Sequence, residues 1–100
     1  MPAFDLGEFL GDYPNSAFVA LDFETTGLDH DRARVTEIGA VKFTASGLGE
    51  TFSTLVDPGI PIEFGASRVS GITDAMVRGK KPCDEGLLEL LAFMGGCSIV

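Results

Sequence analysis

The clearest alternation of apolar and polar positions runs from Ala17 to Glu24, "AFVALDFE". A period of two puts Val19, Leu21 and Phe23 on one face and Phe18, Ala20, Asp22 and Glu24 on the other. Both faces are apolar at the start, which predicts a central strand rather than an edge. Val35 to Phe43, "VTEIGAVKF", predicts a second strand, and Glu50 to Val56, "ETFSTLV", a third. Between them "TTGLDHDRAR" reads as a loop and "TASGLGE" as a turn, and "DPGIP" closes the third strand. Such short connections favour an antiparallel meander.

After Pro61 the period changes. "FGASRVSGITDAMVRGKKP" predicts one or two short helical turns, with Thr73 as N-cap for Asp74 to Arg78. Pro82 to Met94 predicts a firm helix. Leu87, Leu88, Leu90, Leu91 and Met94 line an apolar stripe expected in the core, Asp84 and Glu85 suit the first turn, and Gly95-Gly96 stops it. "CSIV" then opens a fourth strand. At the other end Phe4, Leu6, Phe9, Leu10 and Tyr13 suit a short helix or a loose lead-in, and "YPNS" a turn. No internal repeat or low-complexity tract interrupts this α/β order. A domain does not normally stop on an unpaired apolar strand. The expectation is therefore a single domain over residues 1–100 that forms the N-terminal portion of a larger fold, cut at the fourth strand.

Composition narrows the picture. One hundred residues make one small domain, marginal on its own. The 45% hydrophobic content argues for a packed core and against disorder. The net charge of −8 and a pI of about 4.3 argue against a broad basic groove for phosphates and against a polybasic membrane patch. An anionic substrate would have to be met through local positive charge or bound metal cations. The basic residues Arg32, Arg34, Lys42, Arg68, Arg78, Lys80 and Lys81 form no block longer than Lys80-Lys81. Cys83 and Cys97 form no Cys-x-x-Cys, so a zinc site is not expected. Two free thiols fit a reducing cytoplasm, and nothing demands a disulfide. The N-terminus lacks a signal peptide's pattern, and no apolar stretch approaches the roughly 20 residues of a membrane span.

Asp22 and Glu24 carry the candidate chemistry. On a strand they point to one face, roughly 7 Å apart along the chain. Two unpaired carboxylates at the end of a buried strand cost several kcal/mol and repel each other. Divalent cations offset this, because hard oxygen ligands suit Mg²⁺ or Mn²⁺. Bound cations can orient a water and stabilise a pentavalent phosphorus. The alternative is that the strand simply ends, with Glu24 in solvent and Asp22 paired to Arg34 or Lys42.

"FVALDFETTGLD", followed in order by "TEIGAVKF", "FSTLVDPGIPI" and "GITDAMV", resembles the start of the DEDD superfamily of 3′→5′ exonucleases. The likeness runs from about Phe18 to Val100. It is strongest to the proofreading type, as in the epsilon subunit of bacterial DNA polymerase III and the exonuclease domain of Gram-positive replicative polymerases. The resemblance implies an RNase H-like fold with a three-strand antiparallel meander, a helix and a parallel fourth strand. It implies hydrolysis of a terminal phosphodiester of DNA with two divalent cations, Mg²⁺ or Mn²⁺, releasing nucleoside 5′-monophosphates. Asp22 matches the aspartate that bridges both cations, and Glu24 the glutamate on the metal that carries the attacking water. Thr25, Thr26 and Gly27 match the turn that lies against the terminal nucleotide. The resemblance also implies a DNA 3′ end as partner, with RNA as the alternative, and association with a DNA polymerase subunit.

Three features depart from that pattern. The second motif, Ala-His-Asn-Ala-x-Phe-Asp, would follow "SIV", and the third lies further on. The only histidine, His30, sits in a loop where the family has no catalytic residue. These 100 residues thus carry half a metal site, and little activity is expected of them alone. Ser70 stands where many relatives have a histidine on the terminal nucleotide, so it is a candidate substrate contact or a plain turn residue. Glu37 is a candidate substrate-proximal group beside Gly39, or a sheet-surface glutamate. "DHD", Asp29 to Asp31, lacks the glycine and distal glutamate of a calcium loop. The alternatives to a DNA exonuclease are an RNA-trimming or oligonucleotide-degrading nuclease and a non-catalytic interaction module of a polymerase or helicase.

Overall fold

The computed structural model describes residues 16–100. The expected lead-in over residues 4–13 and most of the "YPNS" turn lie outside them. Strands β1 (Phe18–Thr25), β2 (Val35–Thr44) and β3 (Gly47–Leu55) form the antiparallel meander. Helices α1 (Phe64–Ser70), α2 (Asp74–Val77) and α3 (Cys83–Met94) follow, and β4 (Ser98–Ile99) returns to the sheet. The sheet order is β3-β2-β1-β4, with β4 parallel to β1. This is the mixed sheet expected of a partial RNase H-like fold. β1 is central, as its two apolar faces require: Phe18 and Val19 are both buried on opposite sides.

α3 covers one face. Its Leu90 and Met94 pack with Val19, Ile38, Ala40 and Val56. Burying each such side chain is worth about 1.5–3 kcal/mol. Gly86 brings the helix close, since a Cβ there would lie 2.7 Å from Val56 Cγ1 and 3.1 Å from Ile38 Cδ1. The expected core stripe is narrower than its leucines suggest. Leu88 and Leu91 are 67% and 60% exposed, and Leu87 is also exposed. The fully buried line of the helix is Gly86, Leu90 and Met94, one residue per turn, flanked by half-buried Cys83 and by Phe93, whose ring stacks on Phe52 of β3 at 5.5 Å.

On the opposite face Phe18 and Phe43 stack with ring centroids 5.5 Å apart, beside Ala20. A third cluster, Ile62, Ile72 and Val77 with Leu55 and Ala66, holds α1 and α2 to the end of β3. β3 begins three residues earlier than the sequence predicts. The ladder resumes at Thr44↔Gly47, so Ala45 and Ser46 alone make the turn. Gly47 has φ 130°, which only glycine adopts readily, and Thr44 Oγ1 accepts the Ser46 N–H at 3.2 Å. Thr73 caps α2 as expected, its Oγ1 accepting the Met76 N–H at 3.4 Å.

Candidate functional site

The β1–β2 register places Asp22 opposite Gly39 and Glu24 opposite Glu37, then breaks at a bulge between Glu24 and Thr25. Directly opposed residues share a face, so Asp22, Glu24 and Glu37 stand together on the face away from α3. Asp22 is exposed and Glu24 half-buried. The buried pair expected from the sequence is thus more open. Beyond Ala20 no helix among the described residues covers this face, and Gly39 puts no side chain over Asp22.

The expected alternative, an ion pair to Arg34 or Lys42, does not form. Lys42 lies on the α3 face with its ammonium 4.5 Å from the Phe93 ring centroid. The Arg34 guanidinium donates to the carbonyls of Arg32 and Ala33 at 3.2 and 3.1 Å. Among the described residues, neither Asp22 nor Glu24 has an ion-pair or side-chain hydrogen-bond partner. Glu37 is turned toward β3, where the Ser53 hydroxyl donates to its Oε2 at 3.4 Å. No group of three metal-ligating side chains occurs among the described residues. Two convergent, unpaired carboxylates are nevertheless the hard-oxygen donors that Mg²⁺ or Mn²⁺ takes in ones and twos, with water and phosphate completing the shell. The residues present therefore fit part of a divalent-cation site.

The turn after β1 is fixed by Thr26, which is buried. Its Oγ1 accepts the Arg34 N–H at 3.0 Å, its N–H donates to Arg34 O at 2.8 Å, and its carbonyl accepts the Glu63 N–H at 2.8 Å. Thr26 thereby closes the loop and ties it to the start of α1. Thr25 donates its hydroxyl to Gly27 O at 2.8 Å. Thr25 and Gly27 line a cleft of about 370 Å³, between the end of β1 and α1, that reaches Glu24. Ser70 follows Val69, which lines the cleft. The Ser70 hydroxyl accepts the Ile72 N–H at 3.1 Å and closes the end of α1.

The cleft also brings in residues that the sequence did not single out: Phe23, Leu28, Glu63, Ala66 and Val69. Glu63 is the N-cap residue of α1, but its carboxylate makes no cap hydrogen bond. It packs on Gly27 instead, so closely that any Cβ at Gly27 would overlap it. A larger cleft of about 470 Å³ by Asp57, Asp74 and Arg78 lies away from Asp22. Its carboxylates serve the fold: Asp57 accepts the N–H groups of Gly59 and Gly79, and Asp74 that of Ile62.

Residues 19–100 match the sequence profile of the exonuclease family. A DNA polymerase III PolC-type protein of Thermotoga petrophila is 40% identical over 88 residues, 88% of this chain and 6% of that protein. The DNA polymerase III epsilon subunit of Aquifex aeolicus is 37% identical over 86 residues, 86% of this chain and 43% of the subunit. The chain thus spans less than half of each of these relatives. Exonuclease X, solved in complex with 5′ overhanging duplex DNA, aligns with a TM-score of 0.66 at 29% identity, covering 73% of this chain and 42% of that one. Exonuclease I of Escherichia coli, solved with single-stranded DNA, shares the fold at a TM-score of 0.70 and 20% identity, over 85% of this chain and 20% of that one. With the profile matched over most of its length, this chain belongs to the exonuclease family and is homologous to the exonuclease parts of DNA polymerase III.

Proposed function

We propose that the chain is the first-motif part of a metal-dependent 3′→5′ exonuclease that removes terminal nucleotides from DNA, in proofreading alongside a DNA polymerase. The observation that carries this reading is the pair Asp22 and Glu24: two carboxylates on one face, without ion-pair or side-chain hydrogen-bond partners among the described residues, beside a cleft floored by the Thr25–Gly27 turn. The family generally uses divalent cations, and Asp22 and Glu24 would hold them. Bound there, divalent cations would supply Lewis acidity to a water and positive charge to the phosphate. The remaining work falls to the chain itself. The β1–β2 ladder fixes the spacing of the two carboxylates. Thr26 locks the turn, so that Thr25 and Gly27 present a rigid wall to the terminal nucleotide. Phe23, Leu28 and Val69 supply apolar surface for its base.

DNA is favoured over RNA because both polymerase relatives belong to DNA replication and exonuclease X was solved with DNA. A non-catalytic interaction module is disfavoured, because such a module gains nothing from two unpartnered carboxylates on one face. The 100 residues hold the half of the metal site that Asp22 and Glu24 match and no histidine but His30, which lies in an exposed loop. Hydrolysis by these residues alone is therefore expected to be negligible. Mn²⁺ titration of the chain, read by the loss of free-ion paramagnetic resonance, tests the site. Binding is expected in the wild type and lost in Asp22→Ala; equal binding by both would overturn the assignment.

A further inference from the structure

The cleft beside Glu24 has an unusual lining for a nucleotide site. Phe23, Leu28, Ala66 and Val69 make it apolar, and its charged side chains are the carboxylates of Glu24 and Glu63. No lysine or arginine lines it, so it does not take a phosphate. At about 370 Å³ it lies in the range of small-ligand clefts, roughly 300–1,000 Å³. An uncharged planar group fits it, provided that group offers hydrogen-bond donors to a carboxylate. Thr25 cannot take this role with its proton, since its hydroxyl already donates to Gly27 O. Glu63 can. Its carboxylate packs on Gly27, makes no cap bond to α1, and has no ion pair or side-chain hydrogen bond among the described residues.

We infer that Glu63 sets a base preference: its carboxylate accepts from the exocyclic amino group of cytosine or adenine and disfavours thymine. This deepens the nuclease reading and rests on it for placing the terminal nucleotide in the cleft. The chemistry is that of base edges. Cytosine presents an N4 amino donor and adenine an N6 amino donor, whereas thymine presents the O4 acceptor at the equivalent place. A carboxylate accepts strongly from the first two and is repelled by the third. The apolar walls hold any base by its faces and do not discriminate. Discrimination therefore falls to Glu63. Glu24, the other carboxylate, sits at the β1 end with the cation site.

The test needs no metal and no turnover. The chain is titrated with deoxycytidine and with thymidine, and the methyl resonances of Ala66, Val69 and Leu28 are followed. Deoxycytidine is expected to bind about fivefold more tightly than thymidine. In Glu63→Gln, whose amide can donate as well as accept, the ratio is expected to fall to near one. Glu63 is exposed and the change isosteric, so methyls remote from the cleft report whether the fold is kept. Equal binding of the two nucleosides by the wild type, a ratio that survives in Glu63→Gln, or no cleft shifts with either nucleoside would each overturn the inference. Failure of the nuclease reading looks different: Mn²⁺ binding would not depend on Asp22, while the nucleoside ratio and its dependence on Glu63 would persist.

Discussion

Glu24 faces Glu37 across the β1–β2 ladder, and neither carboxylate has a cation beside it among the described residues. Like charges directly opposed on a sheet destabilise it by up to about 1 kcal/mol. The site is thus arranged against the stability of the strand pair that carries it. Glu24→Gln removes the repulsion while keeping the shape. It is expected to raise the unfolding free energy by about 0.2–1 kcal/mol in the absence of divalent cations, and to weaken Mn²⁺ binding. Urea unfolding without metal checks the first part; a loss of stability there would refute the repulsion between Glu24 and Glu37. At this scale the sequence is informative where chemistry is local. Asp22 and Glu24 can be read because a period of two puts them on one face whatever the rest of the chain does. Glu63 cannot be read this way. A glutamate ahead of a short helix looks the same whether it is solvated or packed on a distant glycine, and only tertiary contact with the β1 turn separates the two.

Elements were legible to the extent that one face of each decides its fate. The meander follows from alternation, and a fourth strand from the apolar "CSIV", but the parallel direction of β4 is implied by the family resemblance alone. The start of β3 is hidden in the sequence because Gly47, Leu48 and Gly49 carry turn chemistry, while pairing of Gly47 with Thr44 and of Leu48 with Phe43 draws the segment into the ladder. The outer leucines of α3 look like core because spacing reveals a stripe without revealing how wide its partner is. The contact that sets the helix position is Gly86, which a pattern of apolar residues passes over. Gly86→Ala would gain up to about 1 kcal/mol of helix propensity. The new methyl, however, meets Val56, which is fully buried and β-branched and cannot turn aside. Overpacking of this kind costs about 1–3 kcal/mol, so a net destabilisation of about 1 kcal/mol is expected. Gly65→Ala in α1 meets open space and is expected to stabilise by about 0.5 kcal/mol. Opposite signs in urea unfolding support the close packing of α3; the same sign in both would refute it.

The whole molecule is acidic, and one carboxylate holds two of its segments together. Asp57, just past β3, accepts the N–H of Gly59 at 2.9 Å and that of Gly79 at 3.1 Å, while its own N–H donates to Lys81 O at 2.9 Å. The loop that leaves the sheet is thereby fastened to the loop between α2 and α3. The hydrogen bonds from Gly59 and Gly79, and after them the charge of Arg78, hold the Asp57 carboxyl below its ordinary value. A group with a depressed folded pKa contributes stability above its unfolded pKa, about 4, and loses it as pH falls through the folded value. Protonation of the other carboxylates works the other way, since it relieves the self-repulsion of a chain with net charge −8. The two effects separate in Asp57→Asn, which cannot titrate and leaves the rest of the charge in place. The wild type is expected to lose stability between about pH 5 and pH 3, and Asp57→Asn to lose less over the same interval while being less stable above it. Urea midpoints measured across that interval decide the matter, and parallel curves for the two proteins would show that Asp57 adds nothing to the pH dependence.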